Sequence, residues 1–381
     1  MHFYKQDFIK LFFFSFLCLS LSFSGIAQQQ IVQEPGIEKA YEGTVETARY
    51  MIDTLMRSQN IPGMQVAVSI KGKTIWSEGF GYANLENKVP VWPSTKMRIG
   101  SVSKTLTSVA LGKLVSEGKV DLDAPVQKYV PNFPKKKYEI TTRQVAGHIA
   151  GIRHYKGTSE PESPEFLSSK PYKDVNESLD IFKDDPLLFK PGEKFHYSTF
   201  GWTIISAVVE GASKEDYLKY MRENVIEPLH MDATVADKVT PIILHRTSFY
   251  DKNEEGELVN APYVDNSNKW AGGGYIGTAE DLLKFGNAML YATYLDRETV
   301  DLLWKSQKTT DGKETHYGLG WFDGTSPKGN FWVGHSGGSV GGTTQFIVYP
   351  DSEVVIAITS NLSGVKYNNI QLQLADLFAE N

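Results

Sequence analysis

The feature of this sequence that most constrains its fold is the placement of strand-like stretches near both ends of the chain. Residues 64–80 alternate apolar and polar positions on either side of a Lys-Gly turn, which predicts a β-hairpin. Residues 343–359 contain two β-branched runs separated by Pro-Asp-Ser, a second hairpin signal. Strands from the two ends predict one antiparallel sheet to which both contribute.

The middle of the chain has helical periodicity instead. Apolar residues at helical spacing, joined by loops rich in proline and glycine, predict helices at 102–117, 141–150, 174–183, 199–212 and 214–227. The same pattern predicts further helices at 37–57, 278–291, 297–305 and 366–379. We therefore expect an α+β fold over residues 37–381, with a helical lobe (about 102–275) inserted into the α/β part.

The first 36 residues are expected to lie outside this domain. Two lysines precede an apolar run at residues 11–23, and small residues at 24–27 are typical of a signal-peptidase site. Residues 1–27 are therefore predicted to be a signal peptide and 28–36 a polar tether, with the mature protein periplasmic or secreted. An uncleaved anchor is the alternative, although a membrane span needs roughly 20 apolar residues.

The composition argues against several classes of function. A net charge of −6 argues against nucleic-acid binding. The histidines lack metal-ligand spacing and no phosphate-binding loop is present, so no metal and no cofactor are predicted. Signal cleavage would remove Cys18, the single cysteine, and with it any disulfide. The expected partner is a small-molecule or peptide substrate, and the sequence leaves the oligomeric state open.

Ser101-Val-Ser-Lys104 begins one of the predicted helices and has the residues that nucleophilic catalysis needs. The dipole at a helix N-terminus disfavours an ammonium group, and a neutral amine can activate a serine hydroxyl. The pattern Ser-x-x-Lys also occurs at Ser116 and Ser363, but neither begins a long amphipathic helix. Ser101 is therefore the candidate nucleophile, with an ordinary helix cap as the alternative.

Two further clusters contain candidate site residues. Tyr197 follows a Pro-Gly turn and precedes a predicted buried helix, so its hydroxyl can face a cleft in which Lys104 activates it. A half-buried structural tyrosine is the alternative. The second cluster, residues 334–338 in a predicted glycine-rich turn, matches the nucleophile-elbow pattern Gly-x-Ser-x-Gly. That interpretation fails because strands follow Ser336 and no histidine follows His335.

In this order, Ser-x-x-Lys, a tyrosine about a hundred residues later and a glycine-ending strand motif resemble the serine β-lactamase and penicillin-binding-protein superfamily, especially its class C and serine-hydrolase branch (peptidase family S12). The resemblance extends over 97–125, 140–155, 196–201 and 263–274. It implies a β-lactamase/transpeptidase-like fold and an exported hydrolase that forms an acyl-enzyme with an ester or peptide (amide) substrate. The alternatives are a β-lactamase or D-Ala-D-Ala carboxypeptidase, and a non-catalytic binding or scaffolding protein.

The resemblance also implies catalytic roles. Ser101 corresponds to the acylated nucleophile, Lys104 to its proton acceptor and Tyr197 to the tyrosine that relays protons. The backbone N–H groups of Ser101 and Gly338 would form the oxyanion hole.

The predicted substrate-binding residues depart from the superfamily pattern. His335-Ser336-Gly337 stands where Lys-Thr-Gly is often found, so a fixed positive charge becomes a titrating one. Thr199 stands where many relatives have asparagine, which removes a side-chain amide. Both departures argue against substrates whose recognition depends on a carboxylate.

If residues 1–27 are a signal peptide, protein from the cell envelope should begin at or near Gln28, because signal peptidase cuts after a small residue such as Ala27. N-terminal sequencing of envelope protein measures this directly. Cytoplasmic protein that retains Met1 would contradict the prediction.

Overall fold

The computed structural model describes residues 36–156 and 163–380. The predicted signal peptide lies outside them, as does the predicted tether apart from Gly36. None of the helices in these two ranges is long and apolar enough to cross a membrane.

The strands of the described chain vary from two residues to twelve. In chain order they are β1 Gly36–Ile37, β2 Gly63–Ile70, β3 Lys73–Asn84, β4 Val89–Pro90, β5 Met97–Arg98, β6 Val235–Ala236, β7 Tyr250–Lys252, β8 Leu258–Asn260, β9 Tyr275–Gly277, β10 Phe322–Thr325, β11 Phe331–Ser339, β12 Gly342–Tyr349 and β13 Val354–Ser360.

Most of the helices lie between β5 and β10 in the sequence. They are α1 Glu42–Gln59, α2 Ser103–Ser116, α3 Thr142–Ala146, α4 Val175–Leu179, α5 Thr199–Ser213, α6 Tyr217–Met221, α7 Trp270–Gly273, α8 Ala279–Leu290, α9 Arg297–Trp304 and α10 Ile370–Ala379.

Both ends of the chain build the central antiparallel sheet, as predicted. Its strand order is β1-β3-β2-β13-β12-β11-β10, with β4 beside β3. Strands β2 and β13 meet at the centre, where Ala67 is opposite Ala357. The α+β fold class is thereby confirmed, and the long-range pairing of β2 with β13 is the contact that joins the two chain ends.

Helices cover both faces of this sheet. Val68 and Ile356 point to the face against which α1 and α10 pack, and Phe378 of α10 lies in the same cluster. Ala67 and Val355 point to the opposite face, where they pack with residues of α2 and α8. Because both faces are buried, every residue of β13 is inaccessible to solvent and its sequence is apolar almost throughout.

The residue pattern predicted a glycine-rich turn between residues 333 and 343, whereas the resemblance placed residues 335–337 on a strand, and the structure agrees with the strand. Residues 334–338 continue β11, whose residues up to Ser339 pair with β12. A Cβ at Gly334 would lie 2.1 Å from the carbonyl oxygen of Phe346, and one at Gly337 would lie 2.0 Å from that of Ile99. The glycines therefore allow close backbone packing on both sides of a strand.

Several predicted helices are shorter in the structure. The one at 141–150 ends at Ala146, because His148 has φ of +61° and turns the chain. The one at 214–227 begins at Tyr217 and changes into a wider π-helical turn at Arg222–Ile226. Both differences are at helix ends, where local sequence signals are weakest.

Phe346 should contribute strongly to stability, because it is fully buried in β12 against Phe285 of α8 and Trp321. We expect Phe346→Ala to lower the free energy of unfolding in urea by about 3–5 kcal/mol. Phe331→Ala removes the same side chain from β11 at a position that is 45% exposed, and is the matched control. Equal losses in the two variants would contradict the arrangement of the sheet.

Candidate active site

Ser101 lies in a short 3₁₀ turn, Gly100–Val102, which leads directly into α2. Gly100 has φ of +51°, a conformation that favours glycine. A Cβ there would lie 2.6 Å from the carbonyl oxygen of Gly338, so the turn touches β11 through two glycines. The chain thus brings the half-buried serine directly beside β11.

Lys104 follows one helical turn after Ser101 and is completely buried. Its Nζ lies 3.0 Å from Ser101 Oγ, 3.3 Å from Thr199 Oγ1 and 2.6 Å from the carbonyl oxygen of Gly272. The carbonyl oxygen can only accept, so Nζ must donate to it. A neutral amine can donate to Gly272 and Thr199 and use its lone pair to accept the Ser101 hydroxyl proton. The geometry therefore suits a base as well as an ammonium.

Tyr197 immediately precedes Ser198, which caps α5 by accepting a hydrogen bond from the Gly201 N–H. Lys104 Nζ lies 4.8 Å from the centroid of the Tyr197 ring. The structure therefore brings the predicted tyrosine next to the predicted lysine, although 93 positions separate them in the sequence. The cap explains why the chain turns sharply here and presents the ring to Lys104.

His335 was predicted to titrate near neutral pH, and the structure corrects this expectation. Its side chain is 2% exposed, because this face of β11 points into the protein. Nδ1 lies 2.5 Å from the carbonyl oxygen of Ser336 and must carry the proton, so Nε2 accepts from the Tyr317 hydroxyl at 3.1 Å. Burial, with the charge of Lys104, lowers the pKa of His335 to about 3. The imidazole is therefore neutral at physiological pH.

His148 and Tyr317 also pack against Tyr197, and sequence reasoning missed both. Their ring centroids lie 4.4 Å and 6.3 Å from that of Tyr197. Burial lowers the pKa of His148 well below its usual value and raises that of Tyr317 well above it, so both stay uncharged. Their sequence surroundings carry no motif that distinguishes them from other histidines and tyrosines, and only the fold brings them here.

The Nδ1 atom of His148 accepts a hydrogen bond from the Ser198 N–H at 3.1 Å. The proton of this neutral ring must then be on Nε2, which is buried and has no hydrogen-bond partner within the described chain. Lys104 Nζ thus lies beside the Tyr197 ring together with the neutral ring of His148.

The remaining predicted substrate-binding residues differ in accessibility. Ser336 has an exposed side chain on β11, as a substrate contact requires. Gly337 is buried against Ile99, where a Cβ would also lie 3.3 Å from the amide nitrogen of Ser101. Thr199 is 3% exposed and its hydroxyl faces Lys104. Its position supports a role in holding the lysine rather than the predicted contact with substrate.

The two residues of the predicted oxyanion hole lie close together. Gly338 is exposed, and a Cβ there would meet no atom within 4 Å, so this part of β11 faces open space. Ser101 and Gly338 lie on the two chain segments that touch at Gly100. The oxyanion hole itself stays a prediction.

The two other Ser-x-x-Lys patterns are structural. Ser116 ends α2 and donates a hydrogen bond to the carbonyl oxygen of Lys113. Ser363 donates to Asp251 and accepts from the Gly341 N–H. Of the three serines, Ser101 is the one bonded to the lysine of its own motif. In residues 36–156 and 163–380, no three His, Cys, Asp or Glu side chains are grouped to hold a metal ion.

Known proteins share both the sequence and the fold. The family model described as "Beta-lactamase" matches residues 48–379. The mitochondrial serine beta-lactamase-like protein LACTB is 37% identical in Mus musculus and 36% in Homo sapiens, over 90% of this chain and 81% of each relative.

Solved structures agree. The octameric penicillin-binding protein homologue from Pyrococcus abyssi superposes with a TM-score of 0.76 at 26% identity, over 88% of this chain and 78% of that one. D-amino acid amidase from Ochrobactrum anthropi SV3 reaches the same TM-score at 19% identity, which shows the fold alone, over 88% of this chain and 99% of that one. With a buried lysine hydrogen-bonded to Ser101 just before α2, and with relatives over nearly its whole length, this chain belongs to the β-lactamase family of serine hydrolases.

Proposed function

We propose that the protein hydrolyses an ester or amide through an acyl-enzyme on Ser101, and that its substrates carry no carboxylate that must be recognised at the reacting end. The observation that supports this most is the buried Lys104, whose Nζ lies 3.0 Å from Ser101 Oγ and 2.6 Å from the Gly272 carbonyl oxygen. These contacts place the amine of Lys104 where it can take up the hydroxyl proton.

In the acylation step, Ser101 Oγ bonds to the substrate carbonyl carbon and its proton passes to Lys104. The carbonyl oxygen becomes an oxyanion between the N–H groups of Ser101 and Gly338. The bond to the leaving alcohol or amine then breaks, and this group receives a proton through Tyr197 while Lys104 returns to the neutral form. Deacylation repeats the sequence with water as the nucleophile, and the acid is released.

The neutral state of His335 supports the proposed substrate class. His335 replaces the lysine of the superfamily motif, and both of its ring nitrogens are already bonded to Ser336 and Tyr317. A carboxylate at this strand would meet no permanent charge from His335, whereas a neutral ester or amide needs none.

A non-catalytic scaffold is disfavoured by the same geometry. Complete burial of a lysine is costly, and its contacts with Ser101, Thr199 and Gly272 converge on one serine and the groups beside it. We further propose that the hydrolase acts outside the cytoplasm, and the support for this is the apolar N-terminal run.

Ser101 should carry the acyl group. We expect a fluorophosphonate or a slow p-nitrophenyl ester to add one acyl or phosphonyl mass to the wild type and none to Ser101→Ala. Lys104→Ala should acylate at least about 100-fold more slowly, because the positioned base is lost. Ser116→Ala removes the serine of another Ser-x-x-Lys pattern and should react like the wild type. Intact-mass spectrometry measures all four proteins, and an adduct on Ser101→Ala would disprove the assignment.

The neutrality of His335 predicts a specificity ratio that does not change with pH. The ratio of kcat/KM for a carboxylate-bearing ester to that for its neutral methyl ester should stay constant from pH 5.5 to 8, because His335 gains a proton only near its pKa of about 3. His335→Lys introduces a cation and should raise this ratio about fivefold or more. Turnover of the neutral ester controls for damage to the site. A wild-type ratio that rises towards pH 5.5 would show that His335 does become charged.

A further inference from the structure

A cavity of about 580 Å³ is lined by residues that the proposed catalytic site does not use. Its volume is within the range of small-molecule sites, roughly 300–1,000 Å³. Strands β6 and β9 contribute Val235, Ala236 and Tyr275, and the segment from α6 onwards contributes Leu218 and Ile226. The interior is therefore mainly aliphatic, with one phenol.

Two large aliphatic side chains at this cavity are exposed to solvent. Ile242 is 93% exposed and Leu244 is 70% exposed, and both belong to its lining. The loop that carries them is fixed: Lys96 Nζ donates to the carbonyl oxygen of Leu244, and the Arg246 guanidinium donates to that of Pro241. A loop held so that aliphatic side chains face water beside an apolar cavity gains stability when a ligand covers them.

The lining of the cavity carries more positive than negative charges. Lys96, Lys219, Arg222 and Lys238 contribute four cations, whereas Asp216 is the one acid in the lining. Lys219 and Arg222 are paired with Glu223 of the same helical segment. Lys96 and Lys238 make no ion pair within the described chain. Burial lowers the pKa of Lys96, and the nearby charge of Asp281 offsets this in part. An anionic group at these two lysines would add a direct counter-charge.

Tyr275 forms an apolar part of the lining. Its side chain is 1% exposed, and its hydroxyl lies beside that of Tyr217. The aliphatic interior and the two lysines without an ion pair together indicate a molecule with an apolar chain and an anionic end.

We propose that this cavity binds a free monocarboxylate amphiphile such as a long-chain fatty acid. Its carboxylate lies at Lys96 and Lys238, and its chain covers Ile242, Leu244 and the β6 side chains. This proposal is independent of the proposed hydrolase activity, because none of these residues belongs to the catalytic set and binding is measured without turnover.

Titration calorimetry of the full-length protein with dodecanoate, below its micelle concentration, tests the proposal. We expect saturable one-to-one binding. Dodecyltrimethylammonium has the same chain with a cationic head, butyrate has the same head with a short chain, and both should bind far more weakly. Lys238→Glu reverses one charge at an exposed position and should weaken dodecanoate binding about tenfold or more. Lys313→Glu reverses an exposed charge outside the cavity and should leave it unchanged.

A second variant tests the apolar contact separately from the charge contact. Ile242→Ser changes a side chain that is 93% exposed, so the protein should fold normally while dodecanoate binding weakens several-fold. Equal affinity for the cationic amphiphile, or unchanged affinity in both variants, would overturn the proposal. Sedimentation with phosphatidylglycerol vesicles without binding of monomeric dodecanoate would also overturn it, because the surface would then recognise a membrane rather than a free amphiphile.

Discussion

The structure of the site depends on one buried lysine. Lys104 is fully inaccessible to solvent, so its Nζ requires partners inside the protein, and these come from three separate segments. Ser101 precedes α2, Thr199 begins α5 and Gly272 lies in α7. A buried amine without such partners would be strongly destabilising. The hydrogen bonds that the buried amine requires therefore fix the relative positions of three helices. They also bring the Ser101 hydroxyl within hydrogen-bonding distance of Lys104.

A second constraint connects this helical lobe to the sheet. The backbones at Gly100 and Gly338 are so close that a Cβ on Gly100 would lie 2.6 Å from the Gly338 carbonyl oxygen. The sheet itself depends on β2 and β13, which come from opposite ends of the chain. The proposed oxyanion hole is thus located where the turn before α2 meets the sheet. This sheet is complete only when strands from both ends of the chain have paired. The candidate site of this chain therefore depends on contacts of high sequence separation.

Three of the rings that pack around Tyr197 do not titrate near neutral pH. Burial keeps His148, Tyr317 and His335 uncharged. A site of this kind favours proton transfer between serine, lysine and tyrosine over attraction of a charged substrate.

The sequence alone determined the features that depend on residues close together in the chain. It predicted the two hairpins, the α+β layout and the pairing of Ser101 with Lys104, because residues three apart at a helix start must be adjacent. Its residue pattern misassigned the glycine-rich part of β11 and the state of His335, and it missed His148 and Tyr317. Those features depend on backbone approach and burial, which arise from residues far apart in the chain. Tertiary packing decided them, since only the folded chain excludes water from His335 and gives its ring nitrogens their partners.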